Sequence, residues 1–73
     1  MTPDKLPHYS LHAIERMMER HITKAEVEFV LNNPEETRSD PKGNIIQVAF
    51  PGGRRIKIVV SRDSSNFIIT AAD

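Results

Sequence analysis

SLHAIERMMERHITKAE, residues Ser10 to Glu26, holds two helix starts and one helix stop, and its reading decides the fold. Ser10 is a good N-cap, because its hydroxyl can accept from the free backbone N–H groups two or three residues on. Leu11, Ile14, Met17 and Met18 then recur at helical spacing and predict an apolar face for a helix over residues 11–20. At about 100° per residue, His12, Arg16 and Arg20 fall on a second, basic stripe, one turn apart each time. Thr23, with Glu26 three residues later, makes a capping box, so a second helix starts there and the two form a hairpin. His21 occupies the helix-stop position between them. That position favours the left-handed conformation, which glycine takes most easily and histidine takes at a cost.

Working outward from this stretch, the residues before it carry Pro3 and Pro7 and show no periodicity. They read as a poorly ordered lead-in over residues 1–9, with a single domain over 10–73. On the other side, Val27, Val30 and Leu31 share one side of the second helix, which ends at Asn32-Asn33-Pro34. A proline disfavours helix for the residue before it and cannot donate to the helical ladder. Turn chemistry at Asp40-Pro41-Lys42-Gly43 and Pro51-Gly52-Gly53, and a polar loop from Arg62 to Asn66, then delimit four strands. The strands are expected near Glu36 to Ser39, Ile45 to Phe50, Arg55 to Val60 and Phe67 to Ala72. The expected fold is α+β, a two-helix hairpin packed on one face of a four-stranded antiparallel sheet, in the order ααββββ.

Register decides which side chains face outward. A three-residue Pro51–Gly53 loop pairs Phe50 with Arg54 and puts Ile46, Val48 and Phe50 on the face of Ile56 and Ile58. A two-residue Gly-Gly loop sets them opposite Arg55 and Lys57 instead. The three-residue loop is the reading adopted, and it leaves Gln47, Arg55 and Lys57 on the face away from the helices.

A chain of 73 residues has room for one domain, burying about 60% of its unfolded surface. Without cysteine there is no disulfide framework and no thiolate metal site. No run approaches the roughly 18 apolar residues of a membrane span, so no membrane association and a cytoplasmic location are expected. Lysine plus arginine equals aspartate plus glutamate, 10 each, so the net charge predicts no steering toward nucleic acid. The distribution is uneven. Glu26, Glu28, Glu35, Glu36 and Asp40 face a single base, Arg38, in one stretch, and Lys42, Arg54, Arg55, Lys57 and Arg62 follow with no acid between Pro41 and Arg62. A polar electric axis is the expectation.

His12, Arg16 and Arg20 suit phosphate, since arginine offers a planar fork and histidine can act as acid or base near neutral pH. Glu15 and Glu19 lie close by and supply the alternative, a solvated ion-paired face. Arg54, Arg55, Lys57 and Arg62 cluster at one hairpin and strand face, where backbone phosphates can lie; exposed bases on strands also prevent edge-to-edge pairing. Tyr9 is the sole tyrosine and there is no tryptophan, which argues against a base-stacking platform. His8 and His12 lack a third ligand, Gly52-Gly53 leads into no helix, and no serine has a placed base. No metal, no cofactor and no nucleophilic catalysis are therefore expected.

His12-Ala13, Arg16-Met17, Arg20 and Ile22, followed by a capped second helix, an Asn-Pro and short strands, resemble the domain-of-unknown-function family 4258. The resemblance runs from about His8 to Thr70. That family looks like a compact relative of the RelE and ParE toxins, which pack a helical hairpin on an antiparallel sheet; some relatives cut messenger RNA on the ribosome, and others poison gyrase or have no known activity. The resemblance implies His12, Arg16 and Arg20 as the motif's polar positions and strand bases such as Arg55 and Lys57 for RNA contact. In a ribonuclease of this kind His12 is the acid or base, with Arg16, Arg55 and Lys57 stabilising the phosphorane charge. Arg20, Arg54 and Arg62 complete the expected nucleic-acid contacts, and the expected partner is RNA or a protein such as an antitoxin. Two departures stand out: His21 where the family often has glycine, and neutral charge where ribonuclease toxins are usually strongly basic. The rival reading is a non-catalytic module that binds protein or nucleic acid through its charged sheet face.

Overall fold

The computed structural model of the protein describes residues 7–73. The first part of the expected lead-in lies outside the described residues. Its last two residues, His8–Tyr9, are strand β1, followed by α1 (Leu11–Arg20), α2 (Lys24–Asn32), β2 (Glu36–Ser39), β3 (Ile45–Ala49), β4 (Ile56–Val60) and β5 (Phe67–Ala72). A 3₁₀ turn over Pro51–Gly53 joins β3 to β4.

The local signals for the helices act as their chemistry dictates. Ser10 is extended and its hydroxyl oxygen accepts from the Ala13 N–H at 2.9 Å; the same hydroxyl donates to the Ile69 carbonyl at 2.7 Å. One side chain thus starts α1 and fastens it to β5. At the second start, the Glu26 N–H donates to Thr23 Oγ1 at 3.1 Å and the Thr23 N–H donates to Glu26 Oε1 at 2.9 Å, closing the capping box. His21 is left-handed, with φ 55° and ψ 45°, and among the described residues it alone of the non-glycines has a positive φ. The Ile22 N–H then reaches back to the Met17 carbonyl at 2.8 Å, satisfying one of the helix's last acceptors.

The apolar face of α1 is not the expected one. Ala13 and Met17 are buried against the sheet, whereas Leu11 and Met18 are 75% and 72% exposed. Helical geometry explains the consequence: Arg20 lies next to Ala13 around the helix, so the basic stripe borders the buried face.

The sheet has five strands in the order β1-β5-β4-β3-β2, a correction to the four expected. The four long strands form an antiparallel meander, and β1 adds itself parallel to β5 through His8–Phe67 and Tyr9–Ile68, making the sheet mixed. Two residues before a cap, without periodicity, carry no strand signal of their own. Tertiary pairing alone makes them one, helped by Tyr9, which packs against the core under the Lys24 ammonium 5.4 Å from its ring centroid.

Register is the second correction. β3 pairs with β4 as Ala49–Ile56, Val48–Lys57 and Gln47–Ile58, which is the alternation of a two-residue turn rather than the three-residue one adopted. The ladder stops at Ala49, because Phe50 (φ −131°, ψ 64°) leaves the strand and the 3₁₀ turn carries the chain around before Ile56 rejoins it. Ile45, Gln47 and Ala49 therefore lie on the helix side with Ile56, Ile58 and Val60, while Ile46 and Val48 lie on the outer side with Lys57. Small Ala49, fully buried, shares the core with Val27 and Val30 of α2. Burying each of Ile56, Ile58, Ile68, Val27 and Val30, all at 0% exposure, contributes about 1.5–3 kcal/mol.

The turns at the other end of the meander follow their residues. Asp40 accepts from the Lys42 and Asn44 N–H groups, both at 2.8 Å, and Gly43 takes φ 88°. A Cβ at Gly43 would come within 3.2 Å of the Arg62 side chain, so both backbone and space favour glycine there. Between β4 and β5 the ladder steps from Val60–Ile68 to Val59–Thr70, leaving Ile69 as the extra residue of a bulge. Its carbonyl is the one that holds Ser10.

A cationic groove between the first helix and the sheet edge

β1 covers β5 only at Phe67 and Ile68, so the rest of that edge lies open beside α1. The basic stripe of α1 borders the buried face and so meets this edge. His12, Arg16 and Arg20 line a groove of about 350 Å³ together with Thr70 and Asp73, and Lys57 reaches it from β4. Lys57 and Ala72 are cross-strand partners, which explains how a residue of the outer sheet face joins a helix stripe at the sheet's end. Helix residues 12, 16 and 20 and a lysine far along the chain are thus brought into one concavity.

Within this groove the cations are weakly engaged. Arg16 Nη1 lies 3.8 Å from Glu19 Oε1, with the two side chains 45% and 64% exposed. An exposed pair three residues apart on a helix is worth only about 0.3–0.5 kcal/mol and is displaced easily. Asp73 is the acid of the groove, and it is already held: Arg54 Nη2 donates to its Oδ2 at 2.7 Å. That hydrogen bond holds the Asp73 carboxyl below its ordinary range against the opposing effect of desolvation, with help from the charges of Arg54 and Arg20.

The other expected site residues go elsewhere. Arg54 donates from Nη1 to the His21 carbonyl at 3.0 Å and from Nη2 to the Arg20 carbonyl, and Nη1 lies 3.7 Å from Glu26 Oε1. Its fork closes the end of α1, the capping box of α2 and the end of β5 together. Arg62 sits at the opposite end of β4, donates to the Lys42 carbonyl at 3.3 Å and lies 3.8 Å from Asp63. Arg55 is exposed outside the groove's lining. Gln47, expected beside Arg55 and Lys57, is on the helix side. The base-only stretch is therefore split by its own hairpin, with Lys42 and Arg62 at one end and Arg54 and Arg55 at the other, and no single basic pole forms from it.

A second hollow of about 530 Å³ lies along the hairpin turn, lined mainly by Ile14, Met17, Met18 and Ile22. His21, Thr23 and Lys24 complete its lining, the shape and chemistry of a site for a small apolar ligand. The groove at β5 gathers four basic side chains and is the candidate for an anion. Among the described residues no group of three or more His, Asp or Glu could hold a metal, and no helix is long and apolar enough to cross a membrane.

Sequence reasoning set Thr70 on the same sheet face as Lys57, but missed Asp73 in the groove and misjudged Arg54. A signal for Arg54 existed: α1 ends without glycine, and helix-terminal carbonyls attract a cation. Which of the ten bases would supply it depended on the turn after β3.

Fold and groove define a small α+β domain with cations gathered between a helix and an open sheet edge. One protein family matches the chain over residues 9–73, the domain of unknown function DUF4258, and the chain belongs to that family. Neither a curated protein nor a solved structure matches it.

Proposed function

We propose that the domain binds RNA by its phosphodiester backbone in the groove between α1 and β5. The observation that carries this reading is the convergence of His12, Arg16, Arg20 and Lys57 on one concavity whose acid, Asp73, is neutralised by Arg54. Arginine forks and a lysine point charge are the groups that hold phosphate oxygens, and a groove open along its length suits a strand better than a compact ligand. Zero net charge is compatible with this, because the positive potential that matters is local to the groove.

A catalytic reading rests on one further observation: His12 shares the groove with three permanent cations. In such a reaction His12 takes the proton of a 2′-hydroxyl as that oxygen attacks the adjacent phosphorus, the P–O5′ bond breaks to leave a 2′,3′-cyclic phosphate, and the departing 5′-oxygen is protonated by water or by the imidazolium. Arg16 and Lys57 stabilise the charge gathering on the phosphorane oxygens. The helix hairpin on a sheet supports placing the domain beside RelE-type toxins, with an antitoxin as the protein partner. Arg55 and Arg62, outside the groove, have no part in this chemistry; Arg54 acts by holding Asp73.

The test is titration of isotope-labelled protein with a short single-stranded RNA. Amides of α1 and of Thr70 to Ala72 should shift first, and affinity should fall with salt at a logarithmic slope of about 0.7 per phosphate contacted. Arg16→Ala combined with Lys57→Ala should abolish the shifts. A fluorescent RNA incubated with wild type and His12→Ala separates binding from cleavage: cutting lost in the variant supports the catalytic role, and an intact RNA with wild type removes it. A folded protein whose groove resonances ignore RNA removes the binding reading and favours a protein-binding module.

A further inference from the structure

We propose that β2 is a self-association edge, through which two copies of the chain pair antiparallel about Thr37 and join their sheets into one. β2 is the edge strand opposite β1, and all of Glu36–Ser39 is exposed. Among the described residues nothing pairs with its outer side. The strand is short and its two charged residues, Glu36 and Arg38, would repel a neighbour that placed like charges against them, but it has no lysine, no proline and an unbroken register with β3, so its charges select a neighbouring strand rather than exclude every one.

The backbone points the right way. At the hairpin's end the Asp40 N–H donates to the Asn44 carbonyl at 2.8 Å. Alternation along an antiparallel ladder then turns the N–H and C=O groups of Arg38 and Glu36 toward β3 and those of Thr37 and Ser39 toward the free edge. A second β2 strand finds donors and acceptors there.

Charge selects the register. A twofold axis perpendicular to the sheet keeps the helices of both copies on one face, and side chains meet only within a face, so the axis must pass through a residue pairing with itself. Centring on Glu36 apposes two glutamates. Centring on Arg38 apposes two arginines and sets Glu36 against Asp40. Centring on Thr37 instead places Glu36 of each copy opposite Arg38 of the other, twice on the outer face, while the two Thr37 residues exchange their outward backbone bonds. Among the described residues neither the Glu36 carboxylate nor the Arg38 guanidinium has an ion-pair partner within its own chain. Centring on Ser39 also brings opposite charges together, Arg38 against Asp40, but the Asp40 carboxylate already accepts from Lys42 and Asn44 in its own turn. The Thr37 register is the one that joins two charged groups which, among the described residues, are without ion-pair partners. The groove lies at the far edge of the sheet, so both copies keep theirs open.

An interface of this length belongs to the weak, transient class, so the test spans concentration. In sedimentation of the full chain, wild type should rise from one chain toward two as concentration increases, and should do so less at high salt. Glu36→Arg and Arg38→Glu should each weaken association by roughly tenfold or more, because each apposes like charges twice. Mixed in equal amounts, the two variants should associate as well as wild type, since every apposed pair is again opposite in sign. A chain carrying both changes should also self-associate. An amide spectrum of each variant establishes that it is folded. Wild type that stays single at millimolar concentration overturns the proposal, as do variants that associate like wild type alone or fail to recover when mixed.

Discussion

Two sets of bases stand on either side of Asp73, and they differ in what surrounds them. On one side Arg54 is enclosed by acceptors: the carbonyls that end α1, the carboxylate of Asp73 and that of Glu26 in the capping box. On the other, His12, Arg16, Arg20 and Lys57 look into an open groove, with one loose, exposed contact to Glu19 among them. By residue type the two sets are alike. A base becomes structural when the fold brings unsatisfied acceptors to it, as the end of a helix does, and stays available when its neighbours are other bases. Counting bases along the chain cannot separate these outcomes.

The comparison breaks first at Arg54. Arg54→Ala should cost about 2 kcal/mol in chemical denaturation, the typical worth of hydrogen bonds from a charged donor, allowing for its partial exposure. Arg54→Lys should recover only part, since an ammonium cannot span two carbonyls and a carboxylate. The deficit depends on pH. Asp73 has a folded value depressed below its unfolded one, so its contribution is present above the unfolded carboxylate range and is lost as pH falls through the folded value. The gap between wild type and Arg54→Ala should therefore narrow below roughly pH 4, leaving the part that the Arg20 and His21 carbonyls supply. A gap that stays constant into acid would mean Asp73 adds nothing to the cluster.

Thr23→Ala, on the same enclosed side, should cost about 1 kcal/mol, because it leaves the Glu26 N–H without its acceptor. On the open side, Arg16→Ala and Lys57→Ala should each move the denaturation midpoint by no more than about 0.5 kcal/mol equivalent. A larger loss at either would show that the groove's bases also hold the fold. The smallest effect is expected at His21. His21→Gly relieves the left-handed backbone and keeps the carbonyl that Arg54 holds, so stability should be unchanged or rise by a few tenths of a kcal/mol. A fall would identify a contact of the imidazole in the hollow along the hairpin turn, which His21 lines together with Met17 and Met18.

Much of the fold was legible because it rests on local rules. Ser10, Thr23 with Glu26, Pro34 and the glycine turns each act through neighbours a few residues away, and the helices and the four long strands stand where those residues put them. What was illegible depended on distance. β1 has no signal apart from its partner, and the β3–β4 register turned on whether Phe50 stays in the ladder. The buried face of α1 was misread because Ala13, small and unremarked, lies where the sheet comes closest. In the site, the helical stripe of His12, Arg16 and Arg20 followed from spacing alone. That Lys57 joins it and Arg54 does not followed from the register, which spacing did not determine.

The bond from the Ser10 hydroxyl to the Ile69 carbonyl spans 59 positions of sequence, and β1 pairs with β5 across a similar interval. On a ribosome the consequence is temporal. The helical hairpin emerges before the four long strands and can form in its own neighbourhood, but the strand on which α1 rests is made after all the other described elements. Until Phe67 to Ala72 leave the exit tunnel, Ala13 and Met17 have no floor and β1 has no neighbour. The same event that completes the core also assembles the groove, so a nascent chain has no formed groove until β5 is in place.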